Sequence, residues 1–90
     1  MIIELSLTAP EYAHLIEGYQ DVFHDDHSFP MEWDYPVLPG IGESFDETFI
    51  RSLLQGKVNL DMLPHIWTVM DRKWIHNGNH MYPRLHIVGK

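Results

Sequence analysis

Trp74-Ile75-His76-Asn77-Gly78-Asn79-His80-Met81-Tyr82 decides how this 90-residue chain is read. Asn-Gly is the favoured pair for a two-residue type I′ turn, and here it separates two strand-like runs, 66–76 and 79–88. With a tight turn on Asn77-Gly78, one face of the hairpin pairs Thr68 with Ile87, Met70 with Leu85 and Trp74 with Met81. The other face pairs Trp67 with Val88, Val69 with His86, Asp71 with Arg84 and Lys73 with Tyr82, which mixes an ion pair with a cation–π pair. A bulge near residues 71–73 instead brings Trp67 and Val69 onto the face of Trp74.

Outward from the hairpin, residues 2–8 read as another strand. Ile3, Leu5 and Leu7 alternate with Glu4, Ser6 and Thr8, a period-2 pattern with one apolar face. Thr8-Ala9-Pro10-Glu11 then has the form of a capping box with proline in the first turn. Tyr12, Leu15, Ile16, Tyr19, Val22 and Phe23 form one helical stripe, so a helix is expected over 10–23, with Gly18 its weak point and a place where it can break. The connection 24–42 holds Pro30, Pro36 and Pro39. It is too apolar for a solvated linker and is expected to lie on the core, with 35–38 extended as an edge strand. Ser44-Phe45-Asp46-Glu47 is a second capping box, starting a helix over 45–55 with Phe49, Ile50, Leu53 and Leu54 inward and Gly56 as its cap. These elements predict one domain over 1–90 of the α+β class: a small antiparallel sheet, partly rolled, with a C-terminal hairpin and two short helices on one face.

Charge is divided along the chain. Residues 1–50 carry eleven carboxylates and no Lys or Arg; residues 51–90 carry six Lys/Arg against two Asp, for a net charge of −7. The two halves either neutralise each other or face an outside partner. The net charge argues against general nucleic-acid binding, which needs Lys and Arg to neutralise phosphates. With no cysteine, disulfides, thiolate nucleophiles and Cys-ligated zinc are excluded. The start of the chain lacks a positive n-region and no run reaches the ~18 apolar residues of a membrane span, so a cytoplasmic protein without membrane contact is expected.

The Leu38-Pro39-Gly40-Ile41-Gly42-Glu43 turn, followed by Trp67-Thr68-Val69, Trp74 and Leu85-His86-Ile87, resembles a group of small bacterial proteins of unknown function. Those share an L-P-x-x-G-E turn, a W-x-V segment and a late strand. The resemblance covers roughly the last 55 residues and implies a partly rolled sheet close to a small open barrel. The helical pattern over 10–23 and the capping box at Ser44 depart from it. It implies no activity, ligand or catalytic residue.

Three constellations are chemically loaded. His24-Asp25-Asp26-His27 offers metal ligands in His24, Asp25 and His27, against which stands the reading of a solvated polar helix end. Gly40-Ile41-Gly42 lacks the lysine of a phosphate loop, and the serines lack a nucleophile-elbow context, so neither a cofactor nor a catalytic residue is assigned. Arg72, Lys73 and Arg84 cluster around Tyr82, with Trp67 placed on the same face, and Trp33 and Asp34 in Glu32-Trp33-Asp34-Tyr35 form the complementary acidic-aromatic surface. The expected function is a non-enzymatic protein-interaction module, acting on a protein partner or on itself as a homodimer. The alternative is a metal-binding protein or metal-dependent hydrolase built on residues 24–27.

Overall fold

In the computed structural model, which describes residues 1–24 and 27–90, five strands form one sheet. They are β1 (Ile2–Thr8), β2 (Phe29–Glu32), β3 (Ser44–Phe45), β4 (Trp67–Asn77) and β5 (His80–Gly89). Their spatial order is β2-β1-β5-β4-β3, and the sheet curls into a half-barrel. β1 runs parallel to β5, Leu5 beside Leu85 and Leu7 beside Ile87, while the other pairings are antiparallel. The sheet is therefore mixed, not antiparallel as the sequence led us to expect. Its parallel contact joins the first strand to the last, and no local pattern announces such a pairing.

The hairpin is present, with a different register. Asn77 pairs with His80, so the loop is Gly78-Asn79, and Gly78 alone has positive φ (62°). A type I′ turn needs positive φ at both central residues; positive φ at the first only is the II′ pattern, which places glycine there. Asp71 thus faces His86, Lys73 faces Arg84 and Ile75 faces Tyr82, and a bulge separates Val69 from Asp71. The bulge restores the apolar alternation: Trp67 and Val69 join Leu85 and Ile87 inside, all at 0% exposure.

The stripe of residues 12–23 is folded differently from the expected single helix. A 3-10 turn covers Pro10–Tyr12, and a one-turn helix α1 (Tyr19–Val22) follows Gly18, whose φ of 76° breaks the run. Thr8 caps nothing; Ala9 holds the cap position, and the Ala9 N–H donates to the Tyr19 hydroxyl at 3.0 Å. The stripe is still buried in part, through Ile16, Val22 and Phe23. Burial survives because the apolar spacing fixes which side chains turn inward even where the backbone is interrupted.

Helix α2 (Glu47–Leu54) begins at Asp46, whose carboxylate accepts from the Thr48 N–H at 2.7 Å, not at Ser44, which belongs to β3. Ile50 and Leu54 are fully buried, with Phe49 and Leu53 packed beside them. Residues 35–38 make no strand. The edge strand on that side is β2, which carries Pro30, and Tyr35 and Val37 are exposed while Trp33 and Leu38 lie on the core. Both helices and the inner face of the sheet share one core, in which the Phe23 ring stacks 6.4 Å from that of Trp67.

Candidate functional site

The sheet face away from the helices carries a polar cluster, set by alternation along the strands and by the bulge in β4. β1 presents Glu4, Ser6 and Thr8 there, β5 presents Tyr82, Arg84 and His86, and the outer part of β4 presents Asp71 and Lys73. The parallel β1–β5 register sets Glu4 beside Arg84 and Ser6 beside His86. Arg84 grips one oxygen of Glu4, with Nε at 3.0 Å and Nη2 at 2.9 Å. The Thr8 hydroxyl and His86 Nε2 are hydrogen-bonded at 2.9 Å. Ser6 is only 5% exposed. A cavity of about 330 Å³ opens among Ser6, Asp71, Lys73, Arg84 and His86.

Burial pushes the Glu4 carboxyl upward, but the Arg84 bond, the Ser28 and Tyr82 hydroxyls and the guanidinium charge more than offset this and hold it below its ordinary value of 4.5. The Tyr82 phenol is raised, by desolvation and then by the neighbouring Glu4 carboxylate. A depressed folded pKa gives stability that is present above the unfolded value and is lost as pH falls through the folded one. Stability should therefore drop in acid below about pH 4.5, and Glu4→Gln should flatten that part of the curve in denaturant titrations repeated across pH. Arg84→Ala should cost about 1–3 kcal/mol at neutral pH, between the values for exposed and buried pairs, because it strands a mostly buried carboxylate.

Glu4–Arg84 is also the ion pair, among the described residues, that joins a Lys or Arg of the second half to an acid of the first.

Beyond Arg84 the hairpin continues as an arm past the end of its pairing with β1, and β3 covers only Trp67 and Thr68 of β4. The Glu43 C=O and Gly42 N–H complete that edge by bonding Val69. Beyond Val69, among the described residues, no strand pairs with the outer side of β4. The pair closing a two-residue hairpin is hydrogen-bonded and bonding then alternates, so Asn77, Ile75, Lys73 and Asp71 bond to β5. Arg72, Trp74 and His76 turn their N–H and C=O groups outward, away from β5, and the Arg72 N–H donates to Oδ1 of its neighbour Asp71 at 2.9 Å. The arm also displays apolar surface, with Trp74 48% and Met81 60% exposed.

Of the residues singled out in the sequence, Lys73, Tyr82 and Arg84 share the polar face. Arg72 lies on the opposite face of the arm, and Trp67 is in the core, its Nε1 donating to the Pro64 C=O at 3.0 Å. Trp33 and Asp34 follow β2, at the other edge of the sheet from β4. They line a cavity of about 560 Å³ with Met1, Tyr35, Pro36 and Leu38. The His24 and His27 rings meet edge-on at 5.7 Å, and His27 packs on Phe29 at 4.9 Å. Asp25 lies outside the described residues, and among the described ones no three His, Cys, Asp or Glu gather into a group that could hold a metal ion. Glu4, Ser6, Thr8 and His86 are the site residues that the sequence reading missed. Their signal was there: polar residues two apart on β1 and again on β5.

No helix among the described residues is long and apolar enough to cross a membrane. Compared with known protein families, curated proteins and solved structures, the chain matches none.

Proposed function

We propose that this chain is a non-enzymatic protein-interaction module and that the hairpin arm is its contact surface. The observation that carries this reading is the open outer edge of β4. An extended segment of a partner adds to such an edge through main-chain hydrogen bonds, and its side chains are selected by the residues alongside. Arg72 and Lys73 put one positive charge on each face of the arm, while Trp74 and Met81, on the face of Arg72, supply the kind of apolar anchor on which interfaces depend.

A photo-crosslinking amino acid at position 74, compared with the same probe at exposed Gln20, tests the reading in cells. The expected result is discrete protein adducts from position 74, several-fold weaker when His76 is replaced by proline, which removes an outward N–H from the edge. Adducts at position 74 no stronger than those at Gln20 would overturn the assignment.

A further inference from the structure

Resting on that reading, we infer that the occupant of the β4 edge is a second copy of this chain, paired antiparallel about a two-fold axis through Trp74. The open edge runs from Asp71 to Asn77, closed at one end by the contact of Val69 with Gly42 and Glu43 and at the other by the Gly78-Asn79 turn. Trp74 is its midpoint. In an antiparallel pair, outward-bonding residues must face outward-bonding residues, so the axis falls on a residue and never between two. Centred on Trp74, the register sets Trp74 against its own copy and Arg72 against His76, so the outward groups of Trp74 and His76 and the Arg72 C=O find partners, while the Arg72 N–H exchanges its bond to Asp71 Oδ1 for one to the second copy. Lys73 then faces Ile75 and Asp71 faces Asn77. No like charges stand opposite, and the two exposed indoles meet across the axis.

Neighbouring registers fail on named grounds. An axis on Lys73 opposes two ammonium groups and drives the partner's Asn77 onto Val69, whose bonds Gly42 and Glu43 already hold. An axis on Arg72 opposes two guanidinium groups. An axis on Ile75 carries Arg72 past the partner's strand to its turn, leaving it without a main-chain partner. The bulge lies before Asp71 and the open segment contains no proline; its guarding charges, Arg72 and Lys73, stand opposite His76 and Ile75 in this register and not opposite each other. In the selected register the second copy's turn comes to rest against Gly42, continuing the line of β3 along the same edge. A small domain with a limited core gains further apolar burial this way.

Size exclusion with light scattering on the purified full chain should find a dimer. His76→Pro removes an outward N–H from each copy while leaving the bonds to β5, so it should raise the dimer dissociation constant about thirtyfold with the melting temperature of the monomer little changed. The chain has no cysteine, so Trp74→Cys tests the register directly. On the axis, a hydrogen-bonded pair has Cα atoms about 5.5 Å apart, within disulfide reach, so Trp74→Cys should oxidise to a covalent dimer and Ile75→Cys should not. A monomer at the highest soluble concentration, a dimer indifferent to His76→Pro, or equal oxidation of both cysteine variants overturns the inference. A monomer that still gives adducts from position 74 in cells discards the second copy and leaves the interaction reading standing.

Discussion

Trp67→Ala should lower stability by about 3–5 kcal/mol, the largest single loss expected from the fold. Trp67 is fully buried where β4 enters the sheet, and it does three things at once. Its ring stacks toward Phe23, which ties the α1 segment to the sheet. Its Nε1 satisfies the Pro64 carbonyl, which fixes the approach to β4. Its indole also lies against Gly89 at the end of β5. Alanine leaves a cavity bordered by all three and strands a carbonyl. For a chain of this size the loss is a large part of total stability and corresponds to about 15–30 °C in melting temperature. Denaturant titration followed by far-ultraviolet circular dichroism measures it. A loss below about 1 kcal/mol would show that these three elements are joined by something other than this ring.

The second large effect is expected at Gly89. A Cβ there would sit 2.6 Å from Cγ of Pro64 and 2.7 and 2.8 Å from Cζ3 and Cη2 of Trp67. All three are ring atoms in the packed interior, unable to swing aside as a flexible side chain does. Gly89→Ala should therefore cost about 2–3 kcal/mol through overpacking alone. Trp67→Phe removes the crowding indole atoms, so the cost of Gly89→Ala should fall by about 1 kcal/mol or more in that background. Additive losses in this double-mutant cycle would place the crowding at Pro64 instead. The pair explains why β5 ends on a glycine: Trp67 and Gly89 are direct cross-strand partners, and the indole occupies the space a side chain would need.

What could be read from the sequence was local. The inward faces of β1 and α2 follow from residue spacing at Ile3, Leu5, Leu7, Ile50 and Leu54, and each of these is buried. The hairpin follows from Asn77-Gly78, but its register turned on the conformation of Gly78 and on one extra residue near Met70, each of which shifts every pairing beyond it. The interruption at Gly18 was visible as a possible break, since glycine costs a helix about 1 kcal/mol against alanine, and the structure breaks there.

The polar face was half legible. Lys73, Tyr82 and Arg84 were grouped correctly because they lie within one hairpin. Their partner Glu4 stands eighty positions from Arg84, and nothing in the chain signals that β1 lies parallel to β5. Thr8 looked like a helix cap for the same reason: its true partner, His86, arrives only through that long-range contact. Trp67 seemed a surface aromatic because the register without the bulge placed it on the outer face.

The parallel contact between the first strand and the last also governs how the chain is made. As a nascent chain leaves the ribosome, β1 emerges early and can find β2, a local hairpin-like pairing. Its central neighbour does not yet exist. Leu5 and Leu7 must wait through the synthesis of α2 and β4 until Leu85 and Ile87 follow. During that interval the half-built sheet exposes an apolar strand with an unpaired edge, the state in which small β-rich chains aggregate or recruit chaperones. The central pairing of the sheet can thus be made only after β5 has been translated.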